Sequence, residues 1–346
     1  MAPDHLDEAL SAFALTAPEY GSLGLSNHGP MACEAMAALG RADAIPAWTT
    51  MYLARLDPAP PPGRPFDEGE WQGALGAADR FADWVVLFEG ALAEQAPGAV
   101  ARQWVPRLVP GTVGAAGHGV IRTAHALRSL GATDSAPRRT ELAQGLAYWA
   151  ATYRELPGPP LLLGHQGVEE ALAVLPYLPE DAPDELLITD RVAHVAAISD
   201  EFEQAVASLG EGTSAVALLD ALAVGGARAY LRNAGRGGAI ALIHSITVPL
   251  AVELVLPFLA EEDRVAALGY AWQAVAAIHV AYATDRVTDL DDAVVPGRDA
   301  VVEGALAAGD EHAIKVTEAA LRCYDRTSDP DLLRVAADAC TRLGGR

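Results

Sequence analysis

The chain has 346 residues, a formal charge of −22 and an apolar content of 51%. That much apolar sequence buries a large core, which excludes a disordered protein, and the acidic balance repels phosphate, which excludes nucleic acid and anionic membrane surfaces as partners. Cys33, Cys323 and Cys340 are odd in number and form no CxxC, which argues against a disulfide framework and a thiolate zinc site.

Of the 24 basic residues only Lys315 is a lysine, an imbalance typical of a GC-rich genome. The opening MAPDHLDEAL has neither a basic nor an apolar segment, so no signal peptide is expected and the expected compartment is the cytoplasm. Ala, Leu, Glu and Arg dominate, and β-branched alternating runs are scarce. The expected fold is therefore all-α: one large multi-helix domain over residues 1–346, with two helical lobes around a central site as the fallback. The weakest join is Gly158–Pro183.

The first element is LSNHGPM, Leu25–Met31. Asn27, Gly29 and Pro30 favour a turn leading into an apolar helix over Ala32–Leu39. His28 in that turn either points into a cavity or is a partly exposed loop residue. PAPPPGRP, Pro58–Pro65, is a stiff loop.

HGVIRTAHALRSL follows from His118. On a helix His118, Arg122 and His125 stand at i, i+4 and i+7 and share a face. Arg122 or Arg128 can hold an anionic group; the plainer reading is a polar stripe with an acidic partner elsewhere. Ser135-Ala136-Pro137 offers an N-cap and a first-turn proline for a helix whose face carries Leu142, Leu146, Trp149 and Tyr153. Further breakers fall at Pro157–Pro160, Pro176–Pro183 and Gly235–Gly238.

Ala239–Ala260 is the longest apolar run. It contains His244, Pro249, Glu253 and Pro257, so it reads as a buried helix, not as a membrane span. His244 there is either a neutral core histidine bonded to a carbonyl or a metal ligand. WQAVAAIHVAYA places His279 on another apolar helix. His5, His165 and His194 are expected to face solvent.

DEHAIKVTEAALR ends the series, with Asp310 as the cap of a helix carrying His312 and Lys315 at i, i+3. Its apolar stripe is Ala313, Val316, Ala320 and Tyr324, with His312 at the edge. The helical wheel sets Lys315 nearer Glu318 and Arg322, as a solvated lysine. No GxGxxG follows a strand, and no P-loop, GxSxG or CxxCH occurs.

NHGPMACEAMAALG, HGVIRTAHALRSL, RRTELAQGLAYWAATYRELPG, IHSITVPLAVELVLPFL and DEHAIKVTEAALR stand in this order over residues 20–325. In that order they resemble the blocks of bacterial questin oxidase-like proteins. The resemblance implies an all-α oxygenase that opens the quinone ring of a polycyclic aromatic polyketide, such as an anthraquinone, by Baeyer–Villiger-type insertion or carbon–carbon cleavage. It implies non-haem Fe(II) held by His28, His118, His244 and His312, with Lys315 carboxylated as a further ligand, and His279 as the alternative to His312. Arg122 and His125 are the candidate catalytic residues. The expected partners are the aromatic substrate and O2, with NADPH as an external reductant and no membrane; a homodimer is compatible with the sequence. The alternatives are a metal-free, NADPH-dependent monooxygenase and a non-catalytic helical protein that binds an aromatic metabolite.

Imidazoles suit iron, and an all-histidine set without thiolates does not favour zinc or copper(I). Lysine ligates only after losing its proton or forming a carbamate, so its amine must first be neutral.

Overall fold

The computed structural model describes residues 4–66, 69–179, 181–233, 235, 238–284 and 294–344. The fold is all-α, with one two-residue antiparallel hairpin, Glu19–Tyr20 against Leu25–Ser26. The chain divides into two compact units, 1–155 with 257–259, and 156–256 with 260–346. The changeover at Glu155 lies just before the join at Gly158–Pro183.

The first unit holds α1 (His5–Phe13), α2 (Gly29–Ala38), α3 (Ile45–Leu53), α4 (Phe81–Glu94), α5 (Pro97–Leu108), α6 (His118–Ala132) and α7 (Ala136–Ala151). Prolines stand in the first turns of α2, α3, α5 and α7, where their missing N–H costs nothing. Asp4 caps α1 by accepting from the Leu6 and Asp7 amides. Ser135 occupies the N-cap position of α7, but its hydroxyl has no hydrogen-bond partner among the described residues. The helix expected from Ala32 begins three residues earlier, at Gly29, because Pro30 is compatible with a first turn. α7 packs against α4 and α6. α6 comes so close to α7 that a Cβ on Gly119 would sit 2.6 Å from Trp149 Cα, so only glycine fits beside His118.

The second unit holds α8 (Val168–Ala173), α9 (Ile188–Ala193), α10 (Ser199–Val206), α11 (Ala215–Asn233), α12 (Ala239–Val255), α13 (Glu261–Tyr282), α14 (Arg298–Ala308), α15 (Glu311–Thr327) and α16 (Pro330–Leu343). α12 packs against α11, α13 and α15. Ala239–Phe258 and Glu261–Tyr282 are long and apolar enough to cross a membrane, but 83% and 72% of their most apolar windows are buried inside the protein. The apolar run expected as one helix to Ala260 is α-helical only to Val255 and tightens to a 3-10 turn over Leu256–Phe258. Pro257 has no N–H with which to continue the helical ladder. Gly226 of α11 lets the backbones of α11 and α12 meet beside His244: a Cβ there would lie 2.6 Å from the Ser245 carbonyl oxygen. α15 packs against α11, α12, α14 and α16 and is buried continuously from Glu311 to Leu321. The middle of the breaker at Gly235–Gly238 lies outside the described residues.

Candidate metal centre

In the first unit, His28 occupies the N-cap position of α2 and is buried. Its backbone is fixed on both sides. The His28 amide donates to the Tyr52 hydroxyl at 3.0 Å, and the following Gly29 amide donates to Asn27 Oδ1 at 3.0 Å. Asn27 is itself tied to Thr16 Oγ1 and the Ala17 carbonyl. The turn predicted from Asn-His-Gly-Pro is present, but burial removes the partly exposed alternative for its histidine.

His118 opens α6. Ala115 and Ala116 precede it at φ 45° and 56°, and Gly117 at 87°. Two consecutive non-glycine residues in the left-handed region store strain of about 1–3 kcal/mol each. The strained turn aims the Ala115 carbonyl at His118 Nδ1, 2.5 Å away. A carbonyl only accepts, so Nδ1 carries the proton and the lone pair of the neutral ring sits on Nε2. The His28 and His118 rings lie 4.5 Å apart, tilted by 30°.

Arg122 and His125 are buried on the same helix and meet acidic partners, as the plainer reading of the stripe expected. Arg122 donates to Glu141 through Nε at 2.7 Å and Nη2 at 2.8 Å, and to Gln144 Oε1 at 2.8 Å. Its charge is thus already matched by a carboxylate of α7. His125 Nδ1 lies 2.5 Å from Glu34 Oε2, and Arg128 grips both oxygens of the same carboxylate. Burial opposes ionisation of Glu34, but the adjacent Arg128 and His125 outweigh it and hold its pKa at about 2.

In the second unit, His244 is buried in α12 with Nδ1 2.8 Å from the Ile240 carbonyl, which again leaves the ring lone pair on Nε2. Burial, then the nearby Lys315 and His312, push its pKa down to about 3, so it is neutral. The His312 ring lies 6.1 Å from that of His244, at 69°. Asp310 caps α15 as the sequence predicts, accepting from the His312 and Ala313 amides, and its Oδ1 also lies 3.4 Å from His312 Nδ1. His118 and His244 thus each hydrogen-bond Nδ1 to a backbone carbonyl, the arrangement that orients metal-binding histidines, while His312 Nδ1 faces the Asp310 carboxylate at 3.4 Å. Ligand atoms of Asp310, Glu311 and His312 also lie within 4.8 Å of one another.

Lys315 is 2% exposed. The solvated position read from the helical wheel is corrected: α15 has helices on several sides, so no face of its first three turns reaches water. Lys315 makes no hydrogen bond or ion pair among the described residues. Burial lowers its pKa to about 8, against the opposing pull of Glu311 and Asp310. His279 is at the end of α13, where burial and Arg232 lower its pKa to about 4. His165 is exposed, and His5 and His194 are half-buried.

Sequence reasoning missed three supports of these histidines: the Tyr52 hydroxyl, the left-handed Ala115–Ala116 turn and the Glu34 carboxylate. The adjacent HG in both NHGP and HGVIR was the available signal for close packing at these turns: a Cβ on Gly29 would meet the Phe13 ring, and one on Gly119 the Trp149 backbone. No protein-family model and no curated protein matches the chain.

Proposed function

We propose that the protein is a non-haem iron oxygenase that opens a ring of a polycyclic aromatic polyketide, such as an anthraquinone. The sequence resemblance supplies the reaction class and assigns the iron to His28, His118, His244, His312 and Lys315. The observation that carries the metal reading is Lys315: a buried amine without a partner among the described residues, one helical turn from an imidazole oriented by Asp310. A buried ammonium costs several kcal/mol unless it is paired, and burial brings the pKa of this amine from 10.5 down to about 8, so the neutral form that ligation or carbamate formation needs is far more accessible than in a solvated lysine.

The donor set fits iron. Imidazoles held through Nδ1, as those of His118 and His244 are, offer Nε2, and no thiolate competes. The neutral Lys315 amine adds its lone pair to the carbon of CO2 and loses one proton, giving a carbamate with one negative charge. Held by these residues, ferrous iron would supply the means of activating O2 for oxygen insertion into the substrate, with an external reductant such as NADPH providing the two electrons that reduce the second oxygen atom to water. The chain's own residues exclude water and keep His244 neutral, since a protonated ring ligates no metal. Arg122 has no role as an oxyanion-stabilising group in this reading, because Glu141 and Gln144 already engage it.

Metal analysis of protein prepared with ferrous iron and bicarbonate tests the reading. One iron per chain is expected, with an oxygen electrode recording O2 uptake on addition of an anthraquinone or anthrone. Lys315→Met and His244→Ala should each lose the iron. Wild-type protein without stoichiometric metal, and with stability unchanged by chelator, sinks the proposal.

A further inference from the structure

The two ligand candidates of the first unit both stand at helix starts: His28 before α2, His118 as the first residue of α6. Further along each helix lies a buried charged group, and these groups meet. Glu34 is six residues beyond His28, about 9 Å along the axis, and His125 is seven beyond His118, about 10 Å. The helices therefore run side by side in the same direction. They are joined at one end by the imidazole pair, 4.5 Å apart, and two turns later by the Glu34–His125 contact at 2.5 Å. Arg128 closes the second joint, donating through Nε at 2.8 Å to Oε1 while Nη2 holds Oε2. Glu34 is 5% exposed.

Resting on the iron reading above, we infer that Glu34 is a positioning residue, a clamp that sets the relative height and rotation of α2 and α6 and so the apposition of His28 and His118. The chemistry suits a clamp better than a catalytic dyad. Both carboxylate oxygens are occupied by donors from α6, and a fork of a guanidinium on a carboxylate fixes direction as well as distance. Without the carboxylate, Arg128 and His125 face each other in a buried place with nothing to hold α2. The clamp also gives His125 a role that needs no contact with substrate.

Glu34→Gln and Arg128→Gln test it, with Asp220→Asn as control; the control loosens the Asp220–Arg326 ion pair of the second unit. Two readouts are needed. In metal-free protein, carbethoxylation mapped by mass spectrometry reports the access of reagent to His28 and His118. In protein titrated with Co(II), the absorption spectrum reports affinity and ligand geometry. Both Glu34 and Arg128 variants should raise carbethoxylation of His28 and His118 several-fold, weaken Co(II) binding about tenfold or more, and alter the Co(II) spectrum. Asp220→Asn, at equal loss of melting temperature, should leave the carbethoxylation of His28 and His118 unchanged. An unchanged His28 and His118 footprint in folded Glu34 and Arg128 variants overturns the clamp, as does a footprint that the control raises equally. Wild-type protein that binds no Co(II) counts against the iron reading instead, and the footprint then decides the clamp alone.

Discussion

Replacing Glu141 with glutamine tests whether Arg122 serves the fold or the chemistry. Arg122 is 1% exposed and Glu141 4%, and the guanidinium makes two bonds to the carboxylate, at 2.7 and 2.8 Å, plus one to Gln144. Arginine keeps its proton in proteins, so it cannot escape by becoming neutral. A glutamine side chain in place of Glu141 would offer a single acceptor and no charge, leaving a buried cation. Breaking a buried pair from one side costs about 3–5 kcal/mol. For a cooperative unit of about 150–250 residues each kcal/mol moves the midpoint by about 2–4 °C, so the melting temperature should fall by about 6–20 °C. Urea unfolding followed by circular dichroism measures the loss directly. Replacing both partners, Arg122→Met with Glu141→Leu, should recover most of it, because no unpaired charge is then buried. A loss below about 1 kcal/mol for Glu141→Gln would refute the reasoning, since it would mean that the guanidinium is hydrated or readily re-paired. A group acting only in the reaction would leave unfolding unchanged.

The other predictions concern titration and backbone strain. In metal-free protein His244 and His279 have pKa values of about 3 and 4, against 6.5 in the unfolded chain. Only the unfolded state takes up these protons between about pH 6.5 and pH 4. Stability is therefore full above about pH 6.5 and is lost on acidification, by about 2 kcal/mol per histidine at pH 5; urea unfolding of His244→Gln at pH 7 and pH 5 should show a smaller drop than wild type. Lys315, lowered from 10.5 to about 8, costs folding stability wherever it is protonated. Lys315→Met in CO2-free, metal-free buffer should be about 3 kcal/mol more stable at pH 7. The gain should disappear as the pH rises from 8 to 10.5, and a less stable variant at pH 7 contradicts the assignment. Ala116→Gly should raise stability by about 1 kcal/mol by relieving the left-handed strain before His118, read as a higher melting temperature.

Much of the candidate site was legible because its local features depend on neighbours in the chain. Asn-His-Gly-Pro predicts a turn into a helix, and Asp310 predicts a cap, since both depend on backbone donors within a few residues. The polar stripe of α6 was legible as a stripe, but its partners were not. Glu34 lies 91 residues before His125 and Glu141 19 residues after Arg122, and only packing brings each carboxylate to its partner. For Lys315 the wheel failed for a definite reason. A wheel assumes one wet face, and α15 has none from Glu311 to Leu321.

Composition and periodicity by themselves determined that the chain is helical, acidic, rich in buried apolar surface and nearly devoid of lysine, because these follow from residue types and short-range spacing. The single lysine was visible from the start as a count, but its physical state was not. Whether an amine is solvated or desolvated depends on every element around it, and only the tertiary structure places α11, α12, α14 and α16 against the helix that carries it. The same holds for the burial of the imidazoles, whereas their Nδ1 partners are local: Ala115, Ile240 and Asp310 stand two to four residues before the histidines they face.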